Sequence, residues 1–546
     1  MKRYKYNKRT VALFSAACIL FAALLGRIAY LQNSSLRSVA DTVGEKTLQI
    51  GESRGYIYDR NYVPLVNNSE HNYAIVVSGV QTSDIVKELL NENLSDGISD
   101  GFFIVTQTDK PVRETKWSKN VEIIQRYSDD VLCSHIIGYL DYEGNGVCGI
   151  EKSFNKILSS HSGKLKVSYT VDARQQAVAG DGVKIISDNY DSPGGIVLTV
   201  DSEIQKIAEK ALYDGGIETG CAIVLDVASS QILALVSVPE YDVNNLSAAL
   251  SDSNRPFLNR ALSAYPAGSV FKPVVAAAAL ENSVMTKSDF LCSGRVNING
   301  QLFSCYNRTE HGEENLSDAV CNSCNTYFIE LGLRTGKEKI CSICKKFGFG
   351  IENKLTNDLV SVAGNLPSTD AITSDAQLAN MCFGQGELLV TPLQIAAAYC
   401  VFANHGVYTE PYILKELIND AGEKYAYYKS EIQYQAVSDD VCSIINECLY
   451  KNMLEGISND GNPFYTTAAG KTGTAQTGDF GNNGEERLCT WFAGFFPYEN
   501  PQYVVVVFNE NGSTGSKDCA PVFRQIADDI IIKFRGDQEE FSDLKE

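Results

Sequence analysis

The chain has 546 residues, too many for one ordinary domain, and its 44% hydrophobic, 10% aromatic and 21% charged composition is that of a folded globular protein. Lys plus Arg number 47 against 67 Asp plus Glu, a formal net charge of -20; with the five positive charges of the first nine residues set aside, the remainder carries -25. A body that acidic has no general attraction for phosphate backbones, so nucleic acid is not an expected partner.

In chain order, Lys2, Arg3, Lys5, Lys8 and Arg9 precede an uncharged run from Thr10 to Gly26, and apolar character resumes after Arg27 as far as Leu31. Residues 10–31 are about the 20 needed to span a bilayer, with Arg27 close enough to the far end to snorkel. The basic flank places a tail, 1–9, in the cytoplasm and everything after residue 32 outside it. A cleaved secretory signal is the alternative, but the run is long and is followed by Gly26-Arg27 where a small-x-small cleavage site would stand. The expectation is a single-pass, uncleaved anchor in the cell membrane.

Residues 32–190 are mixed in pattern. Alternation predicts strands near Tyr73–Val77, Phe102–Thr106 and Lys164–Val171, and a helix-like stretch covers Ser83–Leu94. The polar, glycine-containing run Ser187–Gly195 reads as a boundary. Beyond it come a short strand, Ile196–Thr199, a helix, Ser202–Tyr213, and a hairpin of Cys221–Asp226 with Gln231–Ser237. Helical patterns such as Pro273–Leu280 and Pro392–Ala403 fill the middle; strands return at Thr490–Phe496 and Gln502–Phe508 before a last helix, Pro521–Phe534. Strands at both ends with helices between predict an α+β fold, an antiparallel sheet packed against a helical insert. A C-terminal domain over 191–535 and an acidic, frayed end over 536–546 complete the division.

Of sixteen cysteines, Cys18 lies in the anchor, leaving an odd fifteen. Many, including Cys382, Cys400, Cys442 and Cys448, sit in apolar or helix-like stretches, where a free thiol behaves as a small hydrophobe. Two CxxC pairs, Cys321 with Cys324 and Cys341 with Cys344, lie in helix-like sequence without the tight turns of zinc knuckles. The expectation is a mostly reduced protein with no metal and no cofactor.

The sharpest local signal is Tyr265-Pro266-Ala267-Gly268-Ser269-Val270-Phe271-Lys272, followed by an alanine-rich helix. A serine opening a helix with a lysine three residues on puts both side chains on one face, where the lysine can take the serine proton and the helix N-terminus favours developing negative charge. SxxK alone is weak, since it recurs at Ser153, Ser342 and Ser542. Order and spacing make the difference. Ser323-Cys324-Asn325 lies 54 residues after Ser269, and Lys471-Thr472-Gly473-Thr474 lies 148 residues after Ser323. Taken singly, Ser323 and Asn325 read as a helix cap and Lys471-Thr472-Gly473 as a turn before a strand.

Together these motifs resemble the active site of the penicillin-recognising serine transpeptidases, specifically class B penicillin-binding proteins. Leu198-Thr199-Val200-Asp201, Asn259-Arg260-Ala261, Gly384-Gln385-Gly386 with Thr391-Pro392-Leu393-Gln394, and Trp491-Phe492-Ala493-Gly494 resemble further landmarks, as do Arg54-Gly55-Tyr56-Ile57-Tyr58-Asp59-Arg60-Asn61 and Gly149-Ile150-Glu151 in the N-terminal part. His311-Gly312, between the first two motifs, looks like a family feature too, structural or substrate-contacting. Departures are Ala267 and Val270, where proline and threonine are usual, and Tyr62, where glycine is common.

The resemblance implies an N-terminal pedestal module over 32–190, a penicillin-binding transpeptidase domain over 191–535, and helices on both sides of the sheet. It implies that Ser269 attacks the penultimate D-alanine carbonyl of a peptidoglycan stem peptide, releasing terminal D-alanine. Lys272 would be the general base, kept partly neutral by burial and by Lys471; Ser323 would relay a proton to the leaving amine and Asn325 would hold the substrate amide. The hydroxyls of Thr472 and Thr474 would bind a substrate or β-lactam carboxylate beside the charge of Lys471. Gly473 would admit a substrate backbone, and the Ser269 and Thr474 amides would form the oxyanion hole. Implied partners are stem peptides, β-lactam antibiotics and a SEDS-type membrane glycosyltransferase. A serine β-lactamase or a β-lactam sensor is the alternative. Class A β-lactamases use a glutamate in an ExxLN segment, which Glu352-Asn353-Lys354-Leu355 approaches before Thr356 departs from it; a sensor needs a cytoplasmic reader that nine residues cannot hold.

Overall fold

The computed structural model describes residues 7–33, 44–78, 84–85, 97–99, 101–129, 131–171, 182–285, 290–480 and 484–543. Helix α1 (Lys8–Asn33) contains Lys8–Tyr30, with a mean hydropathy of 2.2, the one helix among the described residues long and apolar enough to cross a membrane. The chain falls into two compact units that interleave in sequence. One comprises Met1–Arg54, Asn67–Arg126 and Ser162–Ser192, the other Gly55–Val66, Tyr127–His161 and Pro193–Glu546. Thus 55–66 and 127–161, which precede the boundary expected at 187–195, cluster with the second unit.

The first unit holds two antiparallel sheets. Glu45–Ser53, Gly163–Thr170 and Lys184–Asp188 form one; Gly97–Ser99, Phe103–Gln107, Ser69–Val77 and Ser118–Gln125 form the other in that spatial order. Their shared core includes Ile75, Val77, Phe103, Val105, Val167 and Tyr169, with the Phe103 and Tyr169 rings edge to face at 5.0 Å. The three strands expected here are present within a few residues. The helix-like stretch 83–94 lies outside the described residues apart from 84–85.

The second unit is built on a five-stranded antiparallel sheet of β1 (Gly220–Asp226), β2 (Ile232–Val238), β3 (Ala469–Phe480), β4 (Glu486–Phe496) and β5 (Tyr503–Gly512), ordered β2-β1-β5-β4-β3. The run Val504–Phe508 explains its place at the centre. Val504, Val506 and Phe508 enter one core while Val505 and Val507 enter the other, and each fully buried valine contributes about 1.5–3 kcal/mol. On one face lie α2 (Ser202–Asp214) and the C-terminal helix Ala520–Asp543, through Ile204, Leu212, Phe523 and Ile526. On the other lie α3 (Lys272–Glu281) and Pro392–Ala403, a helix buried at every residue and started by a Thr391/Gln394 capping box with Pro392 in its first turn. Helices therefore cover both faces of the sheet, as the sequence implied. The last helix runs from Ala520 to Asp543.

The Gly55–Asn61 segment joins this unit for a local reason. Tyr56–Tyr58 pairs in parallel with Gly195–Leu198, and buried Asp59 accepts from both the amide and the hydroxyl of Ser202 at the head of α2, at 3.1 and 2.7 Å. Tyr62 has φ of 65°, the left-handed backbone that makes glycine common there and costs another residue about 1–2 kcal/mol. Its ring carries the Lys424 and Lys415 ammoniums at 4.6 and 5.1 Å and its hydroxyl donates to Glu416, contacts that a glycine could not make.

Candidate active site

The first motif is held from several sides before its serine is reached. Tyr265–Pro266 pairs with Leu389–Val390, the Trp491 indole donates to Pro266 O at 3.0 Å, and the Gly268 amide donates to Gly384 O at 2.8 Å. Gly268 has φ of 60°, and a Cβ there would stand 2.8 Å from Thr474 O, so glycine is needed for both backbone and space. Gly268–Phe271 is a 3-10 turn that runs into α3, with Val270 and Phe271 packed in the core and Val270 O accepting from the Tyr399 hydroxyl at 3.1 Å. Ser269 is the half-buried residue of that turn, and Lys272 follows three residues on, at the start of α3.

Lys272 is fully buried, and its ammonium donates to Ser323 O (2.6 Å), Ser323 Oγ (3.1 Å) and Asn325 Oδ1 (2.7 Å). Burial pushes it down to about 8, opposed by the acidic groups of Cys324, Cys305 and Glu314. Three acceptors orient a cation that the environment disfavours, a combination suited to a proton carrier.

The second motif sits between the helices Leu316–Cys321 and α4 (Asn325–Thr335). Ser323 takes a left-handed φ of 50°, with Cys324 N donating back to Ala319 O at 2.9 Å. Among the described residues neither Ser323 nor Asn325 caps α4 with its side chain. Cys324 is the N-cap residue and makes no side-chain cap bond, while Asn325 accepts from Lys272 and donates to Ser304 O at 2.9 Å.

The third motif lies on β3, the sheet edge. Lys471 is fully buried, and its ammonium donates to Thr472 O at 3.2 Å. Burial and then the Lys272 charge push it well below the ordinary lysine range. The mutual effect expected of the two lysines therefore falls on Lys471; for Lys272, burial supplies the downward shift. Thr472 is only 3% exposed, its amide donating to Ser458 Oγ at 3.0 Å and its hydroxyl accepting from the same group at 3.4 Å. Asn452 closes the same stretch of edge through Ser458 Oγ (2.7 Å) and Gly470 O (2.8 Å). The period-2 alternation of a strand turns the Thr474 amide to the same edge as that of Thr472, beyond the Ser458 cover. Thr474 is half-buried and its hydroxyl accepts from Gly515 N at 3.2 Å. A Cβ on Gly473 would meet Val270 Cγ1 at 3.0 Å and Trp491 Cβ at 3.2 Å.

The structure thus brings Lys272, Ser323 and Asn325 into one hydrogen-bonded group and lays the Ser269 turn against Gly473 and Thr474. Ser458 covers Thr472 on that edge. Ser458 and Asn452, which order that edge, and Glu314, buried beside Asn322, carry no sequence signal, because each arrives from a loop or helix with no fixed spacing to a motif. Glu352, the nearest match to a hydrolytic glutamate, is exposed, and the cavity it borders is lined by no motif residue.

Comparison with known proteins bears on the family and the fold. The family described as "Penicillin binding protein transpeptidase domain" matches residues 220–528, more than half of the chain. Stage V sporulation protein D of Bacillus subtilis is 28% identical over 96% of this chain and 85% of its own length, and a peptidoglycan D,D-transpeptidase FtsI homolog of Mesostigma viride is 29% identical over 96% and 97%. Among solved structures, a peptidoglycan synthase complex described as coordinating polymerization and crosslinking superposes with TM-score 0.68 at 23% identity, covering 95% of this chain and 97% of its own. Penicillin binding protein 3 of Mycobacterium tuberculosis in complex with aztreonam gives 0.64 at 22%, covering 90% and 97%; at these identities the likeness is one of fold. By the extent of the family match, on a sheet whose edge and flanking helices carry all three motifs, the chain belongs to the penicillin-binding protein transpeptidase family.

Proposed function

We propose that the chain is a membrane-anchored peptidoglycan D,D-transpeptidase that works through an acyl-enzyme on Ser269. The observation that carries this reading is Lys272, buried, pushed down to about 8 and held by Ser323 and Asn325 one helical turn from Ser269. The Ser269 hydroxyl proton passes to neutral Lys272 as Oγ attacks the penultimate D-alanine carbonyl. The oxyanion is met by the amides of Ser269 and Thr474. The amide C–N bond then breaks, and the Lys272 proton, relayed by Ser323, goes to the departing D-alanine amine. An acceptor amine next attacks the ester, its proton returns through the same groups, and Ser269 is freed.

Asn325 holds Lys272 and offers its amide to the stem peptide. Thr474, on the uncovered part of the edge, receives the substrate or β-lactam carboxylate near the Lys471 side chain; Thr472, tied to Ser458, steadies the strand behind it. Gly473, with no Cβ to press on Val270 of the Ser269 turn, belongs to the strand that a substrate backbone approaches. β-Lactams acylate Ser269 by ring opening, which has no departing amine to release. Further parts of the proposal are a cytoplasmic tail over 1–9, a pedestal over 32–190, an extracytoplasmic body and a catalytic domain over 191–535, supported by the basic N-terminal flank and α1. The fold shared with a complex that couples polymerization to crosslinking supports a membrane glycosyltransferase as partner.

The test is donor turnover. Detergent-purified protein given a stem-peptide donor and a labelled D-amino acid acceptor should release D-alanine and form the exchanged product. Ser269→Ala should do neither, and equal release by that variant would sink the assignment.

A further inference from the structure

Three sulfurs and an imidazole converge beside the second motif. Cys292, Cys305, His311 and Cys324 place Sγ, Sγ, a ring nitrogen and Sγ all within 4.8 Å of one another, with the three cysteines buried and only His311 partly open. The separations are 3.8 Å for Cys292 to Cys305, 3.9 Å for Cys305 to Cys324, and 3.4 Å from Cys292 Sγ to His311 Nδ1. These three separations match three of the six edges of a particular polyhedron. A tetrahedral zinc with Zn–S of about 2.3 Å and Zn–N of about 2.0–2.1 Å has S···S edges of about 3.8 Å and S···N edges of about 3.5 Å. A disulfide needs its sulfurs at about 2.05 Å and uses only two of them.

The surroundings are those of a ligand set. The Thr326 hydroxyl lies 3.2 Å from Cys292 Sγ and 3.3 Å from Cys324 Sγ, and the Gly294 amide donates to Cys292 Sγ at 3.4 Å, contacts that orient thiolates. Glu314 Oε1 is 3.8 Å from His311 Nδ1, and the buried Glu314 Oε2 has no hydrogen-bond partner among the described residues. The chain between the ligands consists of short two-stranded ribbons, Leu291–Cys292 with Gly312–Glu313 and Arg295–Ile298 with Gln301–Ser304, largely exposed. Ribbons of that size are marginal alone and need a staple.

We propose that Cys292, Cys305, His311 and Cys324 bind one zinc ion, tetrahedrally, and that this ion braces the second motif. The expectation of no metal rested on the CxxC spacings; neither Cys321 nor the Cys341/Cys344 pair belongs to this cluster. The ligands are spread over 33 positions, with only His311 breaking the thiol pattern. Cys324 stands between Ser323 and Asn325, and Ser304, next to Cys305, accepts from the Asn325 amide, so both ends of the ribbon reach residues that hold Lys272. Uptake releases the protons of whichever thiols were protonated.

The test is made on the full-length protein purified in detergent without oxygen, with reductant, incubated with zinc chloride and desalted. The expected content is about one zinc per chain. Cys305→Ser and His311→Ala should lower retained zinc at least about 10-fold and Thr326→Val should weaken affinity about 10- to 100-fold, while Cys341→Ser retains the wild-type content. Cobalt in place of zinc should give wild-type protein the intense visible bands of a tetrahedral thiolate site, a measurement that does not depend on any variant folding. Wild-type protein that keeps no zinc and shows no such bands would overturn the proposal. So would equal zinc loss from Cys341→Ser and Cys305→Ser.

Discussion

At Lys272 the burial that hides the side chain also prepares its chemistry. A free lysine is almost wholly protonated at neutral pH; one pushed down to about 8 is partly neutral and can accept the Ser269 proton. The sign follows directly. The base form grows as pH rises through about 8, so the rate of acylation by a penicillin should rise over that interval and level off above it. A rate that falls through the same interval would contradict Lys272 as base. Asn325→Ala removes one of the three acceptors of the ammonium and the amide link to Ser304, and should slow acylation about 10²- to 10⁴-fold, read by stopped-flow quenching of a fluorescent penicillin. The motif residues were legible because their order and spacing are a property of the string. The two-ended use of Asn325 was not, since Ser304 reaches it through a hairpin whose return no spacing encodes. Nor was the contact of Thr472 with Ser458, which depends on a loop arriving at the strand edge.

Elements position these residues by close approach. Gly268→Ala would combine a left-handed φ with a Cβ 2.8 Å from Thr474 O, so it should destabilise the protein by about 1–2 kcal/mol and displace the neighbouring serine, seen as a lower midpoint in urea and slower acylation together. The short helix Ser134–Ile137 carries a different test. His135 is 6% exposed, stacks edge to face on Tyr241 at 5.1 Å and has its Nε2 2.7 Å from Pro256 O; burial pushes it down to about 4. The unfolded chain binds this proton near 6.5 and the folded one only near 4, so stability is full above about 6.5 and is lost as pH falls through that window. The loss reaches about 3 kcal/mol by pH 4. His135→Phe should flatten that part of the urea-stability profile, and an unchanged slope would count against the buried, neutral histidine. Strand and helix positions in the second unit were readable from alternation and capping. The three-residue strand Tyr56–Tyr58 was not, because its parallel partner lies 139 positions away and so short a run has no period of its own.

At the scale of the whole molecule, the sequence carried the layering better than the division. Val504–Phe508 announces a strand buried on both faces, and the apolar helix Pro392–Ala403 announces a core that needs it. The interleaving of 55–66 and 127–161 with the C-terminal unit was hidden because it rests on contacts such as Asp59 with Ser202, between residues far apart in the chain. Of the converging cluster only Cys324 belongs to a CxxC pair; Cys292, Cys305 and His311 are brought to it by turns that no spacing encodes. The anchor has its own check. Mature protein from membranes should begin at Met1, and protease added to spheroplasts should digest the body; an N-terminus beyond residue 25 would show a cleaved signal in place of α1.

Ser269 as nucleophile is checked by the mass of the intact protein after exposure to a penicillin, followed by peptide mapping. One penicilloyl group per chain should appear, persist for minutes or longer, and sit on the peptide that contains Ser269, with Ser269→Ala unmodified and folded. An adduct on another serine, or an adduct that turns over within seconds with free penicilloate accumulating, would contradict the account.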